Sequence, residues 1–120
     1  LAKYSAQGVK QWFYLFGTPD YDVASDILVG EDFSIYVTGL TYGSLDGVSY
    51  FGMEDTFMAR LSPEREPLWI RQWGTERNNR TNQLIFNHEE MICACGTTEN
   101  DLNGTPNTGI YDGFLLCTEP

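Results

Sequence analysis

"WFYLFGT" at residues 12–18 and "WIRQWGT" at residues 69–75 share one frame: Trp first, an aromatic four places on, then Gly-Thr. Sliding the chain over itself by 57 residues shows that the frame belongs to a longer repeat. Without gaps, 14 of 63 aligned positions are identical, against roughly four for unrelated sequences of ordinary composition. Among the identities are Trp12/Trp69, Gly17/Gly74, Thr18/Thr75, Ile35/Ile92, Gly39/Gly96, Thr41/Thr98, Leu45/Leu102, Gly52/Gly109, Asp55/Asp112 and Phe57/Phe114. Two copies of one module follow each other, and the shape of that module is the first thing to find.

The stretches between its breaks are short and rich in β-branched and aromatic residues, which favours strands. No segment sustains a 3.6-residue period with helix caps. The first copy reads as four strands: "DVASDILV" (22–29), "FSIYVTGL" (33–40), "DTFMARL" (55–61) and "PLWIRQW" (67–73). Turn residues stand between them, at Gly30-Glu31-Asp32 and Ser62-Pro63-Glu64-Arg65, and one copy earlier at Gln7-Gly8.

Strand faces say how the module packs. Phe57, Ala59 and Leu61 share one side of their strand, and Met58 lies on the other. Trp69 and Trp73 share a side, opposite Leu68 and Ile70. Neither side is cleanly polar, so the sheets are expected to be covered on both faces. A four-stranded antiparallel unit stacked face-on against its own copies is a β-propeller blade. Trp12 and Trp69 are then expected between blades, where buried aromatics dominate packing.

At this point the residues resemble the SBBP repeat, a seven-bladed β-propeller repeat of many secreted and surface proteins. The matching elements are Trp12, Phe16, Gly17 and Thr18; Asp22 and Ala24; Tyr36, Val37, Gly39 and Thr41; and Gly52, Asp55, Phe57, Ala59 and Arg60. The second copy departs from the pattern. Asn79 stands for Asp22, Thr81 for Ala24 and Cys93 for Tyr36, and "NHEEM" (87–91) replaces the glycine-bearing turn. The resemblance implies an all-β propeller segment at or outside the cell surface.

Counted in blades, residues 1–21 carry the last strands of an upstream blade, 22–78 a complete blade, and 79–120 an incomplete downstream blade. Two and a fraction blades cannot close a ring of about four to eight. The expectation is therefore a partial propeller, or a fragment of a larger one whose partners include neighbouring blades.

Apolar residues make up 42% of the chain and the formal net charge is −10. The first value permits a packed core. The second opposes nucleic acid and anionic membrane surfaces as partners, and suits cations or basic partners. No apolar run approaches the ~20 residues of a membrane span. The opening "LAKYSAQG" resembles neither a signal peptide nor a Met start, and reads as processed or cut from a longer chain. Cys93, Cys95 and Cys117 all lie in the second copy. They read as partly buried apolar residues or, more sharply, as a disulfide from Cys117 to Cys93 or Cys95.

Candidate ligand contacts fall in the long stretch "TYGSLDGVSYFGMED" (41–55), which carries Tyr42, Asp46, Tyr50, Phe51 and Glu54 among glycines. Aromatic plates beside carboxylates suit sugar or peptide ligands. The bland alternative folds Tyr50 and Phe51 back as the loop's own small core. Asp55 and Asp112 read either as calcium carboxylates or as side chains that accept backbone N–H groups at a loop end. Asp22 and Asp26 are the acids a catalytic propeller would set along its channel, with carbohydrate as substrate. His88 sits in a turn, and no nucleophile elbow, phosphate loop or paired-His motif is present. Two sequons occur, at Asn79 and Asn103. These observations favour a non-catalytic binding scaffold with a protein or carbohydrate ligand and no cofactor. Its rivals are a catalytic propeller and a calcium-stabilised repeat.

Overall fold

Four hairpin turns of one design set the architecture. In each, the first residue's amide donates to the carbonyl four places on and its carbonyl accepts from the residue three places on, as in Ser5 N to Val9 O and Gly8 N to Ser5 O, both 2.9 Å. The same pair of bonds recurs from Gly30, Ser62 and Asn87. The fourth residue is left-handed every time: Gly8 at φ 77°, Phe33 at 63°, Arg65 at 74° and Glu90 at 60°. This is a type I turn closed by a bulge. Side chains support it locally. Ser5, Ser62 and Asn87 each accept two amides of their own turn. Gly30 has no side chain to do so, and Asp32 takes over by accepting from Ser34 N at 3.0 Å.

The computed structural model describes residues 1–47 and 50–120, with Asp46 described in its backbone alone. The chain is all-β, with three antiparallel sheets. The first sheet pairs β1 (Ala2–Tyr4) with β2 (Lys10–Phe13). The second runs β3 (Asp22–Val29), β4 (Ile35–Thr41), β5 (Asp55–Leu61) and β6 (Pro67–Trp73) in sequence order. The third runs β7 (Asn79–Phe86), β8 (Ile92–Thr98) and β9 (Asp112–Thr118). One expected strand shifts at both ends: the second runs Ile35–Thr41 rather than 33–40, starting late because Phe33 is spent on the left-handed turn. No helix among the described residues is long and apolar enough to cross a membrane.

The repeat extends to irregularities. β3 bulges between Ala24 and Asp26, and β7 between Thr81 and Gln83, in the same column of the repeat. The partner across each bulge is glycine. A Cβ on Gly39 would stand 1.9 Å from the Val23 carbonyl oxygen, and one on Gly96 1.9 Å from that of Arg80. Both glycines are therefore required by close backbone approach.

Each sheet has an upstream and a downstream face. Ile35, Val37, Phe57, Ala59 and Leu61 form a core with Trp12, Tyr14 and Phe16 of the β2 segment. Tyr36 and Met58, with Trp69 and Trp73, form a second core against Leu84, Phe86, Ile92 and Ala94 of the third sheet. Trp12 and Trp69 thus fill successive sheet-to-sheet interfaces. A buried hydroxyl knot ties the second interface, with Thr81 Oγ1 2.7 Å from both Thr38 Oγ1 and Thr56 Oγ1 and donating to the Gly39 carbonyl at 3.0 Å. β4 and β5 are covered on both faces, as expected. β3 is not: Ile27 and Val29 are exposed, because the first sheet has two strands and does not reach over them. The outermost faces also carry uncovered apolar residues, Phe13 and Leu15 on one side and Ile85 and Leu115 on the other.

Candidate functional site

Antiparallel order sends all the connections that are not hairpin turns to one end of the sheets. There the Gly-Thr loops (17–21 and 74–78) meet the long connections 42–54 and 99–111. Asp22 holds the first Gly-Thr loop. Its Oδ2 accepts from Thr18 N at 2.6 Å and Thr18 Oγ1 at 3.1 Å, and its Oδ1 accepts from Thr41 Oγ1 at 2.6 Å. Asn79 does the same for the second loop through Thr98 Oγ1 at 2.8 Å and Thr75 Oγ1 at 3.0 Å. Its amide adds a bond an aspartate could not donate, to the Glu54 carbonyl at 3.1 Å, which ties it to the preceding sheet. Asp26 is engaged too, with Oδ2 accepting from the Leu84 amide of the third sheet at 2.8 Å.

Asp55 and Asp112 hold the far ends of the long connections. Asp55 Oδ2 accepts from Phe51 N and Gln72 Nε2, both at 2.8 Å. Asp112 Oδ2 accepts from Thr108 N, in the same column as Phe51, at 2.6 Å. Asp55 is fully buried, and its Oδ1 has no hydrogen-bond partner among the described residues. Burial therefore pushes its carboxyl above the usual range, against the opposing pull of Gln72 and Phe51.

The long connection of the second sheet is pinned by Leu45, which is 3% exposed and belongs to the first core. Gln72 clamps it on either side, donating to the Gly43 carbonyl at 3.0 Å and accepting from Leu45 N at 3.3 Å. Tyr50 and Phe51 stay 42% and 49% exposed, and the Tyr50 hydroxyl donates to the Met53 carbonyl. The Asp46 side chain lies outside the described residues.

Tyr42 and Glu54 meet. The Tyr42 hydroxyl donates to Glu54 Oε1, and Arg80 of the third sheet donates to the same carboxylate through Nε and, at 2.8 Å, through Nη2. Glu54 is 5% exposed in its side chain and Arg80 51%. A buried carboxylate is thus met by an arginine whose other edge faces solvent. The Arg80 hydrogen bond holds the Glu54 carboxyl below its usual range, and the Glu54 carboxylate raises the Tyr42 hydroxyl. One repeat later the two residue types change places. Glu99 occupies the column of Tyr42 and Tyr111 that of Glu54. Asn78 donates to both Glu99 oxygens at 3.0 Å, which holds the Glu99 carboxyl below its usual range, and the Glu99 carboxylate raises the Tyr111 hydroxyl. Tyr21 completes the surface, edge-on to Tyr42 with ring centroids 5.8 Å apart.

Of the candidate ligand residues, the structure joins Tyr42 to Glu54 directly and leaves Tyr50 and Phe51 about half exposed. Sequence reasoning passed over Tyr21, Arg80, Glu99 and Tyr111. The reciprocal Tyr/Glu exchange was visible in the aligned copies. The arginine was not, because it reaches Glu54 only through sheet stacking. The sequons also separate, since Asn79 is fully buried and Asn103 is exposed. Cys93 is bonded to Cys117, whereas Cys95 is free and exposed. The reading of all three as partly buried apolar residues gives way to the disulfide, with Cys93 and not Cys95 as the partner of Cys117. No protein-family model matches the chain, and no curated protein sequence matches it.

Proposed function

We propose that the chain is a β-propeller segment of SBBP-like repeats and acts as a non-catalytic binding scaffold at or outside the cell surface. Its ligand, a protein or a carbohydrate, meets the loop end. One observation carries this reading. Tyr21, Tyr50, Phe51, Met53, Ile110 and Tyr111 all belong to loops at that end, and each is between 42% and 81% exposed. Such a concentration of exposed aromatic and apolar side chains marks interaction surfaces. Tyrosine and arginine lead the residues that dominate binding energy. Beneath them, Leu45, Gln72, Asp55 and Asp22 hold the described parts of the loops in place, which lowers the ordering cost of association.

The face-on stacking and the full four-stranded second sheet support the propeller assignment. The disulfide supports an oxidising compartment. Against catalysis stand the commitments of Asp22 and Asp26 to structural hydrogen bonds. A glycan array and a displayed peptide library, each probed with the chain and with a Tyr21→Ser/Tyr111→Ser variant, test the proposal. Retention of a ligand class by the parent, weakened at least about tenfold in the variant, is the expected result. Turnover of an arrayed glycan that disappears in Asp22→Asn or Asp26→Asn would return the catalytic reading.

A further inference from the structure

A cleft lies at the opposite end of the strands, between the hairpin turns of the second and third sheets. It encloses about 400 Å3, within the range of small-ligand sites. Its accessible aromatic surface is Phe86, half-buried and edge-on to the Tyr36 ring with centroids 5.2 Å apart, while Tyr36 itself is 2% exposed beneath Arg60. The cation on its wall is already spoken for. Arg60 lies 5.5 Å from the Tyr36 centroid and donates to Asp32 at 2.7 Å and to Ser34 at 3.2 Å. Glu31 and Glu90, on the two turns that border the cleft, have no ion-pair partner among the described residues.

This combination selects its occupant by charge and shape. With Arg60 balanced by Asp32, the Glu31 and Glu90 carboxylates remain in the cleft lining together with Phe86. A cation with a flat head and an apolar stem satisfies both features, since guanidinium stacks on rings and bonds to carboxylates. The net charge of −10 favours the approach of a basic partner. We propose that this cleft is a binding site for an arginine side chain on a basic segment of a partner protein. The proposal stands apart from the loop-end reading and fails or survives independently of it.

The test is an NMR titration of the 15N-labelled 120-residue chain with N-acetyl-arginine amide, and with N-acetyl-citrulline amide as its uncharged counterpart. The arginine probe is expected to shift the amides of Gly30, Glu31 and Glu90 saturably, and citrulline to bind at least about tenfold more weakly. A Glu31→Gln/Glu90→Gln variant should lose about as much affinity for arginine while its remaining spectrum stays in place. Equal binding of both probes, shifts confined to other parts of the chain, or an undiminished response in the variant would each overturn the assignment. So would stronger binding of acetate than of arginine at these amides, because Arg60 would then be the recognising group.

Discussion

Cys93 on β8 is bonded to Cys117 on β9, its direct partner in the antiparallel register. The preceding repeat sets Tyr36 opposite Arg60 in the same two columns, with the guanidinium over the ring. A covalent staple thus stands where the preceding repeat has a cation–π pair. The bond spans 24 residues of sequence, and closing a loop of that size in the unfolded chain is worth ~3 kcal/mol. A Cys93→Ser/Cys117→Ser variant should lose about that much in urea unfolding. Cys93→Tyr/Cys117→Arg should recover only ~1 kcal/mol of it, the scale of a cation–π contact.

The Glu54–Arg80 pair makes a second prediction. Arg80→Met leaves the buried carboxylate with the Tyr42 hydroxyl alone, and should cost ~2–3 kcal/mol. Adding Glu54→Gln should restore part of the loss, and a double-mutant cycle reads the coupling. The pH dependence has a definite sign. In the folded protein Arg80 holds the Glu54 carboxyl below the usual 4.5, and the Ser34 hydrogen bonds hold Asp32 at about 2, below the usual 3.8. Both contribute stability above those unfolded values and lose it as pH falls through the lower folded ones. Arg80→Met should therefore move the midpoint of acid unfolding to higher pH. An unchanged midpoint would remove the pair from the account.

Asp55 acts in the opposite direction. Its folded pKa is raised above 3.8 by burial, so its favourable contribution is complete below that unfolded value and fades as pH rises through the folded one. Asp55→Asn removes the buried charge. Its stability relative to the parent should improve from about pH 4 to pH 7, as measured by thermal unfolding across that range.

Gly52 and Gly109 share a column but not an environment. A Cβ on Gly52 would stand 2.0 Å from the Thr75 carbonyl oxygen, whereas one on Gly109 would find nothing closer than 3.6 Å. Gly52→Ala should cost ~2–3 kcal/mol through the displaced backbone. Gly109→Ala should fall within about 0.5 kcal/mol of the parent. Equal costs would mean that the columns are governed by local geometry and not by neighbouring loops.

The left-handed turn positions carry a further prediction. Phe33, Arg65 and Glu90 occupy φ values between 60° and 74°, where an L side chain costs ~1–2 kcal/mol. Glycine relieves this at a smaller entropic cost. Phe33→Gly and Glu90→Gly should each stabilise the chain by ~0.5–1 kcal/mol in urea unfolding. Arg65→Gly should gain less, because Arg65 lies over Trp12 at 5.3 Å and that contact is lost.

Much of the fold is legible in the sequence. Three of the four expected strands of the first copy coincide with β3, β5 and β6 at both ends, because Gly, Pro and Ser stand at the turns and alternation marks the strands between. The exception, β4, is offset by a phenylalanine in a conformation that its type rarely takes, which no pattern of hydrophobicity announces. Leu45 was visible as a repeated leucine, yet its role as the buried pin of a polar loop was not, since burial depends on which core the loop lies over.

The chain's own letters determined the strands, the repeat length and the stacking of like modules, because those rest on neighbours in sequence and on periodic burial. Which cysteine pairs with Cys117 was decided by register across β8 and β9, where Cys95 faces Leu115 instead. The meeting of Arg80 with Glu54 was decided by the placing of one sheet over another, 26 residues apart in the chain. Contacts of this kind arise where separate strands are brought side by side, and local propensity carries no record of them.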